Sequence, residues 1–384
     1  MNRLAKELGV RNPFSYGGIV SGDAFCNRAQ EKKDLSRAIE NRQKLFLYAE
    51  RRMGKTSLIK VVLNPLSKKD YISIYIDLYP TTGELSFVEV TAAAIANAVS
   101  AKLSDYVRTL REFFGRLGAS VSVDSQGNPT VVVGMRSNED ALLKLETVLS
   151  LPEAIAARRK KTVVVVFDEF QQIAAYSTDA VERTLRSVIQ THERTAYIFM
   201  GSREHLIQDM FLNKARPLYR SASHYPLAAI AEIHWKPFIR KWFEQAHKAI
   251  TPQQVGAICG KTQGHPFYTQ HLCHALWEIC EGRQAVEDTM IEQAISLILD
   301  RENYAYAALW ESLTASQASV LKALAADPSD IAPYAADFIA RHHLKSASTV
   351  QRALEALITK DIIEKDNGAY LVSDRFFRLW IQRL

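Results

Sequence analysis

Lys44-Leu45-Phe46-Leu47-Tyr48-Ala49-Glu50-Arg51-Arg52-Met53-Gly54-Lys55-Thr56-Ser57 is the stretch that decides the fold. Residues 44–48 have the aromatic and aliphatic composition of a strand, and residues 58–63 have the pattern of a helix. Between them lies a loop of the Walker A kind. Such a turn aims successive backbone N–H groups at a phosphate, and the helix N-terminus adds positive potential. Lys55 would reach the terminal phosphates, Thr56 would ligate Mg²⁺, and Gly54 permits close backbone approach. Arg52, Met53 and Ser57 complete the candidate nucleotide-binding set. Ala49 departs from the glycine that usually opens this loop, at some cost in backbone freedom.

A second signal lies over a hundred residues downstream. Residues 163–167 (Val, Val, Val, Val, Phe) form an unbroken apolar run that ends in Asp168 and Glu169. A run without polar alternation suits a parallel strand covered on both faces, which predicts a place in mid-sheet. A strand-end Asp-Glu pair alone is often a helix cap. Paired with the upstream loop it reads as Walker B: Asp168 holds Mg²⁺ through water, and Glu169 orients and deprotonates the attacking water. Residues 71–78 and 197–200 read as further strands, and the alternation with helical segments predicts an α/β parallel sheet. After residue 200 come Gly201, Ser202 and Arg203, at the sheet edge where ligands of open α/β sheets bind, so Ser202 or Arg203 is the candidate sensor.

Outward from this centre, residues 119–123 and 130–133 flank a polar turn and read as a hairpin decorating the sheet. From about residue 233 the pattern turns helical, punctuated by Gly260 and Gly264, and the polar run 300–303 reads as a linker. Beyond it, helices near 316–325 and 334–340 and a third capped by Ser346 or Ser348 precede two short strands around Asn367-Gly368, a tight-turn pair. That order is a winged helix. The expected domains are 1–232 (N-terminal segment and nucleotide-binding domain), 233–302 (helical lid) and 303–384 (winged helix). A chain of 384 residues, 47% hydrophobic, can bury more than one core.

The net charge of +6 comes from 48 basic and 42 acidic residues, too mild an excess to imply nucleic acid by itself. The basic run 158–161 precedes a buried strand and reads as a solvated gatekeeper. Cys26, Cys259, Cys273 and Cys280 show neither metal-site nor disulfide-framework spacing and suit buried thiols in a reducing cytoplasm. The charged N-terminus lacks a secretory core, and no apolar stretch approaches the ~20 residues that cross a bilayer, so a cytoplasmic protein without membrane contact is expected.

The chain resembles the archaeal-type ATPases of the AAA+ and STAND lineage over nearly its whole length. The resemblance is carried by Asn12, Pro13 and Phe14, by residues 25–28 and 51–58, and by Asp168, Glu169 and Phe170. It continues through residues 199–202, Met210, Phe211, Pro217, Leu218 and Tyr219 to residues 264–268. Ala49 and Glu50 depart from the Gly-Pro that commonly opens the family's loop. The resemblance implies an AAA+-like domain with a helical lid and a C-terminal winged helix, binding ATP or ADP with Mg²⁺. It places His265 and Pro266 beside the adenine and allows an arginine finger at Arg216 or Arg220. It also implies that the winged helix presents Lys345, Thr349, Gln351 and Arg352 on its third helix, residue types that suit duplex DNA. The expected function is a slowly hydrolysing, DNA-associated switch. The alternative is a signalling or defence switch that self-assembles or joins protein partners without DNA.

Overall fold

In the computed structural model, residues 11–66, 70–99, 119–123, 129–133, 138–202, 209–280, 282, 285–327, 332–366 and 369–384 are described. The contacts divide the chain into two compact units, Asn27–Ala228 in one and residues 11–26 with Ala229–Leu384 in the other. The N-terminal segment therefore groups with the helical part of the chain rather than with the sheet, and lid and winged helix share one unit.

The first unit runs α1 (Ala29–Glu40), β1 (Lys44–Tyr48), α2 (Lys55–Leu66), β2 (Tyr71–Asp77), α3 (Glu84–Val99), β3 (Ala119–Val123), β4 (Pro129–Val133), α4 (Asn138–Arg159), β5 (Thr162–Asp168), a 3-10 turn (Phe170–Ala175), α5 (Ala180–Ile189), β6 (Thr195–Gly201) and β7 (Ser223–Pro226). Five strands form one parallel sheet in the order β2-β5-β6-β1-β7, and β3 pairs antiparallel with β4. The apolar run of β5 is an inner strand, one place from the middle. The middle is β6, all of whose residues are buried. The sheet core is aromatic: the Phe167 and Phe199 rings stack at 5.8 Å and those of Phe46 and Phe211 at 4.6 Å. Each such side chain removed from water contributes about 1.5–3 kcal/mol. The residues of the expected gatekeeper from Arg158 to Lys160 are exposed.

The second unit contains α6 (Glu232–Gln245), α7 (Pro252–Thr262), α8 (Pro266–Ile279), α9 (Asp288–Glu311), α10 (Ala315–Ala326), α11 (Ala336–Arg341), α12 (Ala347–Thr359), the hairpin β8 (Ile363–Asp366) and β9 (Ala369–Val372), and α13 (Arg375–Ile381). Caps set several helix starts. Thr251 with Gln254 and Thr314 with Gln317 form capping boxes, and the Ser346 hydroxyl accepts from the Thr349 N–H. The run 300–303 is helical: α9 continues through it, exposed all round from Asp300 to Ala305, until Tyr306 is buried. Gly264 is required where it stands, because φ is +67° and a Cβ would lie 2.3 Å from the Ile230 carbonyl oxygen.

One apolar cluster runs from Phe14 through α6–α9 into the winged helix as far as Ile381. Asn12 Nδ2 donates to the His274 carbonyl at 3.1 Å, which seats Phe14 against Phe243 and Trp277. None of the four cysteines is in a disulfide, and all four are buried. Burial raises the Cys259 thiol to about 12 and the Cys273 thiol well above its usual range, so both stay protonated. Among the described residues no helix is long and apolar enough to cross a membrane. The wing tip at Asn367-Gly368 lies outside the described residues.

Candidate active site

β1 delivers the chain to the loop, and α2 starts at Lys55 with no acidic residue in its first turn. The first N–H groups of a helix have no intrahelical partner, so this turn offers unpaired donors. Gly54 has φ +87° and Arg52 φ +61°, which supply the left-handed steps of an anion-cradling turn. Ala49 lies outside the left-handed region, so a methyl group is accommodated there without backbone strain.

The Lys55 ammonium folds back over the loop, donating to the carbonyls of Ala49 and Glu50, both at 3.0 Å. Burial pushes its pKa down from 10.5 to about 8, against the pull of Glu169, Asp168 and Glu50. A buried ammonium held by carbonyl dipoles is a positive charge still seeking an anion. Behind the loop, buried Arg28 donates to the Met53 carbonyl (3.4 Å), the Ala228 carbonyl (2.7 Å) and Glu31 Oε1 (2.7 Å). It thereby ties the loop to α1 and to the chain following β7.

The parallel sheet brings the end of β5 to the same edge. Asp168 Oδ2 accepts from Thr56 Oγ1 at 2.9 Å and from the Tyr75 hydroxyl, and Oδ1 accepts from the Glu169 N–H at 2.9 Å. Burial and the adjacent Asp168 raise the Tyr75 pKa, so this phenol remains a donor. The Thr56 hydroxyl and the Asp168 carboxylate are thus juxtaposed oxygen ligands, hard donors of the kind that suit Mg²⁺. Glu169 takes φ +51°. Its Oε2 accepts from Ser202 Oγ at 3.1 Å and from Gln171 Nε2, which fixes the carboxylate beside the strand end.

Lys55, Thr56, Asp168, Glu169 and Ser202 are therefore brought together at one edge of the sheet. Tyr75, Gln171 and Arg28 join the site through their contacts with Asp168, Glu169 and the Met53 carbonyl, and no motif in the sequence marks them as site residues. Arg203 lies outside the described residues. His265 and Pro266 belong to the other unit, where buried His265 precedes α8, packs its ring 4.7 Å from that of Tyr268, and Pro266 takes the first helical position. Arg216 is ion-paired to buried Glu182 and lies 3.7 Å from Asp209, whereas Arg220 is exposed. On α12, Gln351 and Arg352 are exposed, as is Lys345 just before the helix, and Thr349 is half-buried.

Comparison with known proteins agrees with this geometry. Residues 25–272 match the ATPase domain predominantly from Archaea, and residues 304–383 match a probable winged helix domain. No curated protein matches the chain. Among solved structures the chain is similar to the Walker-type ATPase paby2304 of Pyrococcus abyssi (14% identity, TM-score 0.65, covering 96% of this chain and 99% of that one). It is also similar to the ORC2 protein of Aeropyrum pernix in its ADPNP-ADP complexes (14% identity, TM-score 0.55, covering 97% and 98%). At such identities the likeness is one of fold. With the domain match spanning more than half of the chain around the loop and strand ends just described, the chain belongs to the family of P-loop ATPases found predominantly in Archaea, with an AAA+-like sheet and a C-terminal winged helix.

Proposed function

We propose that the protein is a nucleotide-driven switch that binds ATP with Mg²⁺, hydrolyses it slowly and engages duplex DNA through its winged helix. The observation that carries the catalytic part is the convergence of Lys55, Thr56, Asp168 and Glu169 at one sheet edge. Lys55 and the N–H groups at the start of α2 take the phosphates. Thr56 and Asp168 hold Mg²⁺, whose chemistry is to neutralise charge on the transferring phosphoryl group. Glu169, oriented by Ser202 and Gln171, accepts the proton of the attacking water. His265 and Pro266 serve the adenine side by family resemblance. Of the two candidate arginine fingers we favour Arg220, because Arg216 is committed to Glu182.

DNA engagement is supported by the exposed Lys345, Gln351 and Arg352 around the capped start of α12. One observation favours the second reading, a switch that assembles with protein partners: Gln351 Nε2 donates to Glu355 Oε1 at 2.9 Å, which places a carboxylate on the same exposed face. The deciding experiment is the ATPase rate of the full chain with and without duplex DNA at moderate salt. A DNA-dependent change in rate supports the proposal. No DNA affinity at low salt moves the protein-partner reading ahead.

A further inference from the structure

The winged helix contains an arginine whose charge is left unanswered among the described residues. Arg378 on α13 has a buried Nε with no hydrogen-bond partner, and among the described residues no carboxylate pairs with its guanidinium. Its neighbour Arg375 differs, donating to Glu364 Oε1 at 3.2 Å and to the Ser373 carbonyl at 2.9 Å. Burial and the nearby Arg375 both lower the Arg378 pKa, and among the described residues no acid opposes them. A half-buried cation without a counter-charge costs stability, and a native protein that keeps one has a use for it or a partner for it.

Arg378 lines a cleft of about 270 Å³ within the second unit, between the C-terminal end of α10, β9 and the residue that follows α7. The acid in the cleft wall, Asp327, is already engaged by Arg341 Nη1 at 3.0 Å and His342 Nε2 at 2.5 Å. Gln382 is anchored through its donation to the Ala325 carbonyl at 2.6 Å. Gln263, also in the cleft wall, makes no side-chain hydrogen bond among the described residues and has an amide to offer. Leu324, Leu371 and Val372 provide an apolar lining.

We propose that this cleft is a carboxylate-binding site, in which Arg378 receives the acidic end of a short aliphatic chain. The guanidinium fork matches a carboxylate in two parallel hydrogen bonds, and the leucine and valine side chains suit the methylene stem. The volume lies just below the ~300 Å³ at which pockets for drug-sized ligands begin, so the occupant is a small dicarboxylate or a single acidic side chain of a protein. The site lies outside the P-loop and does not require nucleotide.

The test uses the full chain, with glutarate and, separately, glutamate capped at its amino and α-carboxyl groups as probes, at ionic strength held constant with sodium chloride. Titration calorimetry should show saturable binding of at least one probe. The better binder separates the two sources: glutarate points to a free dicarboxylate, capped glutamate to a protein side chain. Arg378→Met should weaken binding by ~10-fold or more, and Arg378→Lys should weaken it less. Because Arg378→Met removes an unpaired charge, that variant should melt no lower than the wild type without probe, so its loss of binding is not a folding defect. The proposal is overturned if neither probe binds beyond the chloride control, if Arg378→Met binds as the wild type does, or if the methionine variant is the less stable protein.

Discussion

Lys55→Met separates what the loop does for the fold from what it does for phosphate. The Lys55 ammonium is buried and held by the Ala49 and Glu50 carbonyls, with its pKa lowered from 10.5 to about 8. That gap corresponds to roughly 3 kcal/mol by which folding disfavours the charged form. Methionine keeps much of the volume and removes the charge, at the cost of two carbonyls losing a donor, about 1–2 kcal/mol together. The nucleotide-free variant should therefore be more stable than the wild type by about 1–2 kcal/mol at pH 7, or roughly 2–8 °C in the transition of the unit that carries the sheet.

The sign of the pH dependence follows from linkage. Lys55 is easier to deprotonate in the folded state, so its cost is fully present below about pH 8. It fades as pH rises from 8 to 10.5, where the unfolded chain still holds the proton and the folded chain does not. The gap between variant and wild type should narrow over that window. ATP with Mg²⁺ at about 100 times its dissociation constant should stabilise the wild type by ~2.7 kcal/mol and leave Lys55→Met unmoved. Calorimetric melting at pH 7 and pH 10, with and without nucleotide, reads all of this. A variant less stable than the wild type at pH 7, or one stabilised equally by ATP, refutes the reasoning.

Three further perturbations address other parts of the account. Tyr75→Phe removes a donor from Asp168 and should weaken Mg²⁺ dependence by about 10-fold, read as the Mg²⁺ concentration at half-maximal ATPase rate; an unchanged value removes Tyr75 from the site. Arg216→Ala strips buried Glu182 of its partner and should cost about 3 kcal/mol in denaturant unfolding, whereas exposed Arg220→Ala should leave stability unchanged and lower turnover; the reverse pattern would exchange their roles. Lys345→Glu with Arg352→Glu should weaken duplex binding and flatten the slope of log affinity against log salt by about 2, with ATP affinity untouched. An unchanged slope removes α12 from the DNA surface.

What the sequence discloses and what it hides have physical reasons. The loop at residues 49–56 and the strand end at Asp168-Glu169 are local: each combines a strand composition with the residues that terminate it, so both are read without knowing the sheet order. Tyr75 is different. Its hydroxyl matters because β2 lies beside β5 in register, with Asp77 opposite Asp168, and no pattern within residues 71–77 discloses that pairing. Arg28 likewise acts through distant contacts, with the Met53 and Ala228 carbonyls, whereas Gln171 meets Glu169 only because the local turn after β5 points its amide back.

β7 escapes notice because its four residues, Ser223 to Pro226, carry no buried apolar run. It is a strand by virtue of pairing with β1 at the sheet edge. Residues 300–303 mislead in the opposite direction, since a polar run reads as a linker, yet it contains neither glycine nor proline. A helix exposed all round over this stretch continues through it to bury Tyr306. The winged helix is legible because its order is local: the Ser346 cap, the buried Val350, Ala353, Leu354 and Leu357 of α12, then the hairpin.

The central claim, hydrolysis of ATP with Glu169 as the base, is tested most directly by single-turnover hydrolysis in the wild type and in Glu169→Gln at saturating ATP and Mg²⁺. Glutamine keeps the shape and can still meet Ser202, but it cannot take the proton from water. The account predicts unchanged nucleotide affinity and hydrolysis slowed by about 10²-fold or more in the variant. Hydrolysis at the wild-type rate by a well-folded Glu169→Gln protein would contradict it.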